Sequence, residues 1–532
     1  MSLPTRIVCL GGGFVGNFLA KTLRRAIKKK IVELTVIDRN NYRKFHGLFP
    51  AMIAGKVHPS SIAPPSRDIL APAQFYNAEI ETVDWINKSV TVSRALDGRQ
   101  FHIPYDHLVI GLGFDDNLKR YPGFYENAFR VRRFGDAFLL KNHIPQMLEF
   151  AEIEKNQEER ARLLTFVVVG GNYAGVEIAA ELANLLKCLI QRTYTSISKD
   201  EIRIILVHSG KQILPELGER FPRLALYAKQ LLSEALGIKI KFETRIISAT
   251  PSGALTDKEE FIATRTIVSA IGSASNALFD EWNFERDAHG RIKTDATLNV
   301  VGQSSIWAGG DCAAIPHSKK GFSPSLAPYA MNAGVVIGKN ILRQLKHKPL
   351  RSFIYNSWSD ICILGRYKAV GNIMGIPVKG FFPWFLGRLT QVKFNSGRRV
   401  RLLTDWIVNA LAGPDITSIQ MQQTLSIAQK FYDAGQTIIN EGDIGNAMFF
   451  IQKGEVKIFQ TSREHEILAT LAAGDHFGEI AVFNKCRRTA NVVAITPVTV
   501  LEIKREAAEA LSMIFSEIKY TPFAEKKQKR SV

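Results

Sequence analysis

Residues 6–25 read RIVCLGGGFVGNFLAKTLRR, and residues 31–38 read IVELTVID. An apolar run of strand length meets a glycine turn, then a helical pattern, then a second apolar run that ends on an acid. Gly11, Gly12, Gly13, Phe14, Val15 and Gly16 satisfy GxGxxG in the context the motif needs, strand before and helix after. Gly11 permits the tight turn. Gly13 lets backbone N–H groups approach a pyrophosphate, and Gly16 lets helix and strand pack closely. The helix N-terminus adds partial positive charge. Asp38, followed by Arg39, ends the second strand, where a carboxylate can accept hydrogen bonds from ribose hydroxyls.

The same order returns at LLTFVVVGGNYAGVEIAAEL (163–182). Between the copies, YDHLVIGLG (105–113) is a buried strand ending at Gly113, and TIVSAIG (266–272), ending at Gly272, is its counterpart in the second unit. SIWAGGDCA (305–313) is a later strand running into Gly310 and Asp311, followed by a helical pattern to about residue 345. The pattern predicts an α/β protein with two Rossmann-like units, one inserted in the other. Residues 1–118 and 288–350 form the first and residues 119–287 the second. Such a pair implies FAD in the first and a pyridine dinucleotide in the second.

The second loop is altered. Gly170, Gly171 and Gly175 keep the pattern, but Asn172 stands where the middle glycine belongs, followed by Tyr173. Asn tolerates positive φ better than other non-glycine residues, so the expectation is that it keeps the turn and projects its side chain into the pyrophosphate site. The next strand, RIILVHSGK (203–211), ends on His208, with Ser209 and Lys211 after it. Without a carboxylate there is no repulsion against a 2′-phosphate, so NADPH stands as an alternative to NADH. A weakened site is the third reading.

At 532 residues the chain exceeds a single core. Its net charge of +19 favours an anionic partner, nucleic acid or membrane surface. The five cysteines lie far apart, with no CxxC and no zinc spacing, which points to a reducing compartment and no metal site. No run reaches the length of a membrane span, and a strand pattern begins almost at once, so no leader is expected. Residues 351–413 change character. GFFPWFLGRLTQVKFNSGRRVRLLTDWIVNAL (380–411) carries an aromatic patch, Phe381, Phe382, Trp384 and Phe385. It also carries Arg398, Arg399 and Arg401 ahead of Val400, Leu403, Ile407 and Ala410 at helical spacing. This reads as an interfacial anchor on an anionic membrane surface. Residues 414–525 show short alternating runs between glycine turns, the pattern of a small β-barrel or jelly roll.

Through GGGFVG, YDHLVIGLG, GGNYAGVEIAAEL, AIGS, GRIKTDATLNV and WAGGDCA, residues 4–411 resemble the two-dinucleotide-binding-domain flavoproteins, and within them the type II NADH dehydrogenases. The resemblance implies Asp311 at the ribityl–phosphate part of FAD, Glu177 near the nicotinamide, a quinone or other small-molecule acceptor, and a monotopic anchor. Those features imply a cytoplasmic protein, peripheral on the inner face of the membrane. The lack of a cysteine pair argues against the disulfide-reductase branch. Where that family carries AQxAxQ beside the flavin, this chain has Ala327, Pro328, Tyr329, Ala330, Met331 and Asn332, with both glutamines gone.

Residues 431–505 resemble cyclic-nucleotide-binding domains through Phe477, Gly478, Glu479, Ile480 and Ala481, then Arg488, Thr489 and Ala490. Arg488 would pair with the cyclic phosphate, Glu479 would accept from the ribose 2′-OH, and Thr489 leans toward cGMP without excluding cAMP. Arg487 replaces a proline and adds charge near the phosphate. No helix pair of helix-turn-helix type follows, which argues against a nucleic-acid partner. Homodimerisation is left open. Two rivals stand beside a membrane-bound NAD(P)H dehydrogenase carrying a cyclic-nucleotide sensor: a flavoprotein sensor without turnover, and a soluble reductase for another acceptor.

Overall fold

Strands buried on both faces need near-continuous apolar sequence, and the two longest such sets in this chain each assemble a parallel sheet. The structure, a computed structural model, describes residues 3–94, 98–115, 118, 121–271, 275–317, 321–355, 359–395, 397–418, 427–463, 466–484, 486–505, 507 and 508. In the first sheet the order is Ile306–Ala308, His107–Ile110, Thr5–Leu10, Val32–Asp38, Gln74–Asn77, all parallel. In the second it is Ile238–Lys241, Arg203–Val207, Thr165–Val169, Thr266–Ser269, Ala128–Arg130, again all parallel. The chain leaves the first sheet after Ile110, builds the second, and returns at Ile306. The glycine-rich loops therefore sit at the carboxyl ends of central strands, where open α/β sheets bind ligands.

Two parallel helices cover one face of the first sheet. Phe14–Lys28 and Ala327–Gln344 touch because Gly334 and Gly338 offer no side chain there. A Cβ at Gly334 would lie 2.4 Å from the Val15 carbonyl oxygen. This contact sets the Gly310–Cys312 turn against the first loop, since Gly310 faces both Val15 and Ala330.

A three-stranded antiparallel sheet follows, Ser359–Ile363, Ala369–Ile373 and Ile376–Gly380; the helix Phe381–Phe394 packs on it, and Arg399–Ala412 packs against that helix and Pro59–Ile62. These two helices leave large apolar groups in solvent: Phe382 is 62% exposed, Ile407 60% and Leu411 85%. No helix among the described residues is long and apolar enough to cross a membrane. The C-terminal unit has two four-stranded sheets, Ile427–Tyr432, Val498–Lys504, Ala447–Lys453, His476–Phe477 and Thr437–Ile439, Asn491–Ala494, Glu455–Phe459, Ala469–Ala472, around a core including Phe449, Ile451, Val456, Phe477 and Val500. It rests on the second Rossmann-like unit. Ser248 Oγ donates to Asp433 Oδ2 at 2.7 Å, and Gln436 Nε2 donates to Thr250 Oγ1 at 3.1 Å.

Candidate functional site

The first loop is a cradle with room in it. Gly11 has φ +104°, a conformation open to glycine, and its N–H donates to the Ile37 carbonyl. A Cβ at Gly16 would lie 2.4 Å from the Gly11 carbonyl oxygen, whereas one at Gly13 would meet nothing within 4 Å. Asp38 Oδ2 accepts from Gly12 N–H at 2.8 Å and Oδ1 from Asn40 N–H at 2.8 Å, so the strand-end carboxylate both fixes the loop and faces the mouth. Arg39 lies 3.7 Å from Glu79 and 3.8 Å from Asp115. Phe14 packs edge-on to Phe45 under the Arg43 guanidinium, and Val15 is buried between Gly111 and Gly310. Gly113, with φ +67°, leaves open space beside it. Among the described residues the Asp311 carboxyl has no hydrogen-bond partner, and burial raises its pKa against the pull of Arg132 and Arg291. An unpartnered carboxyl, an open glycine and aligned N–H donors are the groups that the ribityl and pyrophosphate parts of FAD require, so these residues fit that cofactor.

The second loop repeats the backbone and departs at two side chains. Gly170 has φ +117°, and a Cβ at Gly175 would lie 1.8 Å from the Gly170 carbonyl oxygen. The expectation of a positive φ at Asn172 is overturned. Its φ is −77°, close to the −68° of Gly13 at the same position of the first loop. Oδ1 accepts from Gly175 N–H at 3.0 Å as the N-cap of Tyr173–Arg192, and Nδ2 donates to the Ala270 carbonyl at 2.8 Å. The loop asks for negative φ at this position in both units, and the Asn172 side chain adds a cap that satisfies an otherwise unpaired helix N–H. His208 occupies the position Asp38 has in the first unit: Gly171 N–H donates to its Nδ1 at 3.2 Å. Lys211 is exposed on the following turn. Gly272 lies outside the described residues.

Between the units lies a buried charge network. Glu181, on the helix that follows the second loop, meets Lys56 of the first unit, and its Oε1 accepts from Arg388 Nη2 at 3.1 Å. Burial opposes ionisation of Glu181, but Lys56 and Arg388 together hold its pKa below the usual value. One turn earlier, Glu177 Oε1 accepts from Ile363 N–H at 2.8 Å. Its pKa is raised to about 8 by burial, against the pull of that hydrogen bond and of Arg388 and with a smaller push from Glu181. Glu177 lines a cavity with Gly47, Pro50, Ala51, Ile363, Arg388 and Gln391. Arg388 itself lies 5.8 Å from the Trp384 ring and 5.5 Å from that of Trp406, so the network reaches both exposed-face helices.

On the Ala327–Gln344 helix, Pro328 sits in the first turn, where its missing N–H costs nothing. Ala330 packs toward Gly310, and Tyr329 stacks edge-on to Tyr355. Asn332 Nδ2 spends one N–H on the Pro328 carbonyl at 2.9 Å.

In the C-terminal barrel, Phe477, Gly478, Glu479, Ile480, Ala481, Arg488, Thr489 and Ala490 line one pocket with Ile439, Ile458 and Val492. Gly478 takes φ +82°, and a Cβ there would lie 2.7 Å from Arg488 Nη1. Arg488 is buried. Nη1 donates to the Gly478 carbonyl and Nη2 to the Ala447 carbonyl, each at 2.7 Å, and its guanidinium lies 5.9 Å from the Phe449 ring. Arg487 points the other way, donating to the Gly442 carbonyl at 2.8 Å, so its charge lies outside the pocket lining.

Sequence reading missed Lys44, His46 and Arg132. His46 Nε2 lies 2.9 Å from the Arg132 carbonyl oxygen, and burial lowers its pKa to about 4, so the ring is neutral and donates. Lys44 is lowered by burial, with Asp38 and Asp115 opposing. The run RKFHG (43–47) was the available signal, but it falls outside any spacing motif.

Residues 5–334 match the family described as pyridine nucleotide-disulphide oxidoreductase, and residues 429–514 match the cyclic nucleotide-binding domain. The chain is 26% identical over 400 residues to the type II NADH:quinone oxidoreductase of Staphylococcus aureus, covering 74% of this chain and 96% of that one. It is 27% identical over 427 residues to the type II NADH:quinone oxidoreductase Ndh of Mycobacterium tuberculosis, covering 76% and 88%. In three dimensions it matches NDH2 from Plasmodium falciparum, solved in complex with NADH. The TM-score is 0.70 at 18% identity, over 78% of this chain and 99% of that one.

Proposed function

This chain belongs to the pyridine nucleotide-disulphide oxidoreductase family, and from that premise we propose that it is an FAD-dependent NAD(P)H dehydrogenase of the type II, non-proton-pumping class. It takes hydride from a reduced pyridine dinucleotide and passes two electrons to a quinone-like acceptor at the inner face of an anionic membrane. Cyclic nucleotide, cAMP or cGMP, modulates its activity or its location. Residues 1–118 and 288–350 would hold FAD, residues 119–287 the donor, residues 351–413 the membrane, and residues 414–525 the cyclic nucleotide. The names of the Staphylococcus and Mycobacterium relatives support the reaction class.

The observation that carries this reading is the pair of glycine loops at the carboxyl ends of two parallel sheets in one chain, each with its own clamp at the strand end. Bound FAD would supply the two-electron relay between donor and acceptor. Around it, Gly13 and the helix N-terminus would bind phosphate, and Asp38, held by the Gly12 N–H, would bind ribose. Asp311 would orient the ribityl chain. Glu177, protonated at neutral pH, holds a proton beside the cavity on the Gly47–Ala51 side, where a reduced acceptor needs one. Phe381, Phe382, Phe385, Ile407 and Leu411 would seat in the lipid interface with Arg398, Arg399 and Arg401 at the headgroups.

Anaerobic mixing with NADH and NADPH tests the donor half, because the flavin must bleach with at least one. Addition of a soluble quinone must then restore the absorbance. Turnover, donor affinity and vesicle binding, each measured with and without cAMP and cGMP, test modulation. If none of the three changes, the barrel has no regulatory role.

A further inference from the structure

We propose that the donor pocket of the second unit is built for the 2′-phosphate of NADPH, with His208 setting the preference and Lys211 meeting the phosphate. The inference rests on the reading of residues 165–211 as the donor site. The first unit supplies the internal standard. Asp38 spends Oδ2 on Gly12 N–H and keeps acceptor capacity for ribose hydroxyls. His208 does the loop-fixing half of that job and lacks the other half. Its Nδ1 takes the Gly171 N–H, so the lone pair is used and the ring proton sits on Nε2. A Cβ at Gly171 would lie 2.7 Å from His208 Cγ, so the imidazole is pressed onto the loop. Burial lowers its pKa, with the Gln212 carbonyl opposing, which keeps the ring neutral.

A neutral imidazole in this tautomer has no acceptor left for the 2′- and 3′-hydroxyls of an NADH ribose. It also brings no negative charge to repel a phosphate dianion. The turn that follows supplies exposed Ser209 and Lys211, and among the described residues Lys211 makes no ion pair. The neighbouring charges from the strand Ile238–Lys241 and beyond are Lys241, paired with Glu260 at 2.6 Å, then Glu243 and Arg245, both exposed. The Glu243 N–H donates to the Gly210 carbonyl at 3.1 Å, and among the described residues its carboxylate makes no ion pair.

The experiment titrates the flavin-loaded protein with NADP+ and NAD+ by calorimetry, and follows anaerobic flavin bleaching by NADPH and NADH. The expected result is at least a 10-fold preference for the phosphorylated dinucleotide in both assays. In H208E the preference inverts, in H208Q it persists, and in K211A the NADPH-to-NADH ratio falls about 10-fold. A wild-type preference for NADH, or a ratio that H208E leaves unmoved, overturns the inference while leaving the dehydrogenase reading intact. Failure of both donors to bleach the flavin removes the donor reading itself and this inference with it. If H208E does not fold, the wild-type NADP+ and NAD+ titrations decide.

Discussion

The two Rossmann-like units meet one backbone requirement with different chemistry. In each, the second glycine of the loop points an N–H at the end of the neighbouring strand, and an acceptor must be there. The first unit supplies the Asp38 carboxylate at 2.8 Å and the second the His208 imidazole at 3.2 Å. The third loop position differs as well. Gly13 leaves its space open, whereas Asn172 uses its side chain to cap the helix. The loop geometry is therefore a constraint of the fold, while charge at the strand end is free to follow the ligand.

The largest expected effect comes from closing the glycine contact in each loop separately. In Gly16→Ala the new Cβ would lie 2.4 Å from the Gly11 carbonyl oxygen, and in Gly175→Ala 1.8 Å from that of Gly170. Each loop must shift away from its ligand, and displacement of about 1 Å costs roughly 100-fold in a positioned reaction. Gly16→Ala is expected to purify colourless. Gly175→Ala is expected to purify yellow and to bleach about 100-fold more slowly at fixed donor. Absorbance spectra and stopped-flow traces check both, and the reverse pattern would exchange the two assignments.

Next is the charge network that ties the units together. Glu181 is 2% exposed and bonded to cations from two other parts of the chain, so Glu181→Gln leaves Lys56 and Arg388 without their anion. Breaking a buried pair in this way costs about 3–5 kcal/mol. Asp280→Asn, which breaks an exposed ion pair with Arg286, should cost less than about 1 kcal/mol. Urea denaturation of both variants measures the difference, and equal losses would mean the network is not a hub.

What could be read beforehand follows from these distances in sequence. Each glycine loop is contiguous with its strand and helix, so the duplicated α/β fold, Asp38 and the barrel pocket at 477–490 were all visible as local pattern. Glu181 was not, because Lys56 lies 125 residues away and Arg388 207, and no spacing rule joins them. Asn172 was misread because a positive φ was inferred from residue type, whereas the loop holds negative φ there in both units, and the Ala270 carbonyl to which its Nδ2 donates lies 98 residues on. His208 was recognised as a departure, but its tautomer depends on an N–H supplied by a different strand–loop junction. Local periodicity yields elements, and the chemistry of a site belongs to pairs that only folding brings together.

A gentler comparison sets Glu177 against Glu181, two carboxyls one turn apart with opposite shifts. Glu177 stays protonated in the folded protein up to about pH 8 but ionises near pH 4.3 when unfolded. Between those values the folded state binds the extra proton, so raising the pH destabilises it by at most about 1.4 kcal/mol per unit from this group. Glu177→Gln should remove that slope, becoming progressively more stable than wild type from pH 5 to pH 8. Melting curves across that range check it, and parallel curves would mean that Glu177 is already ionised in the fold.

The smallest effect concerns how the barrel reports to the unit whose strand end differs. It hydrogen-bonds to the second unit's antiparallel sheet through Asp433 to Ser248 and Gln436 to Thr250, and Phe431 packs beside Gly123. Asp433→Ala removes one of these hydrogen bonds and should cost about 1 kcal/mol of docking. The pocket residues Glu479 and Arg488 stay in place, so cyclic-nucleotide affinity of the variant should match wild type within about 2-fold, while any cyclic-nucleotide effect on donor affinity shrinks by about 5-fold for each 1 kcal/mol of coupling lost. Calorimetry on the barrel ligand and donor titration with and without it separate the two quantities. If the donor response survives in Asp433→Ala and in the double variant with Gln436→Ala, the seam carries no coupling, and the acid-for-histidine difference between the two units is independent of the barrel.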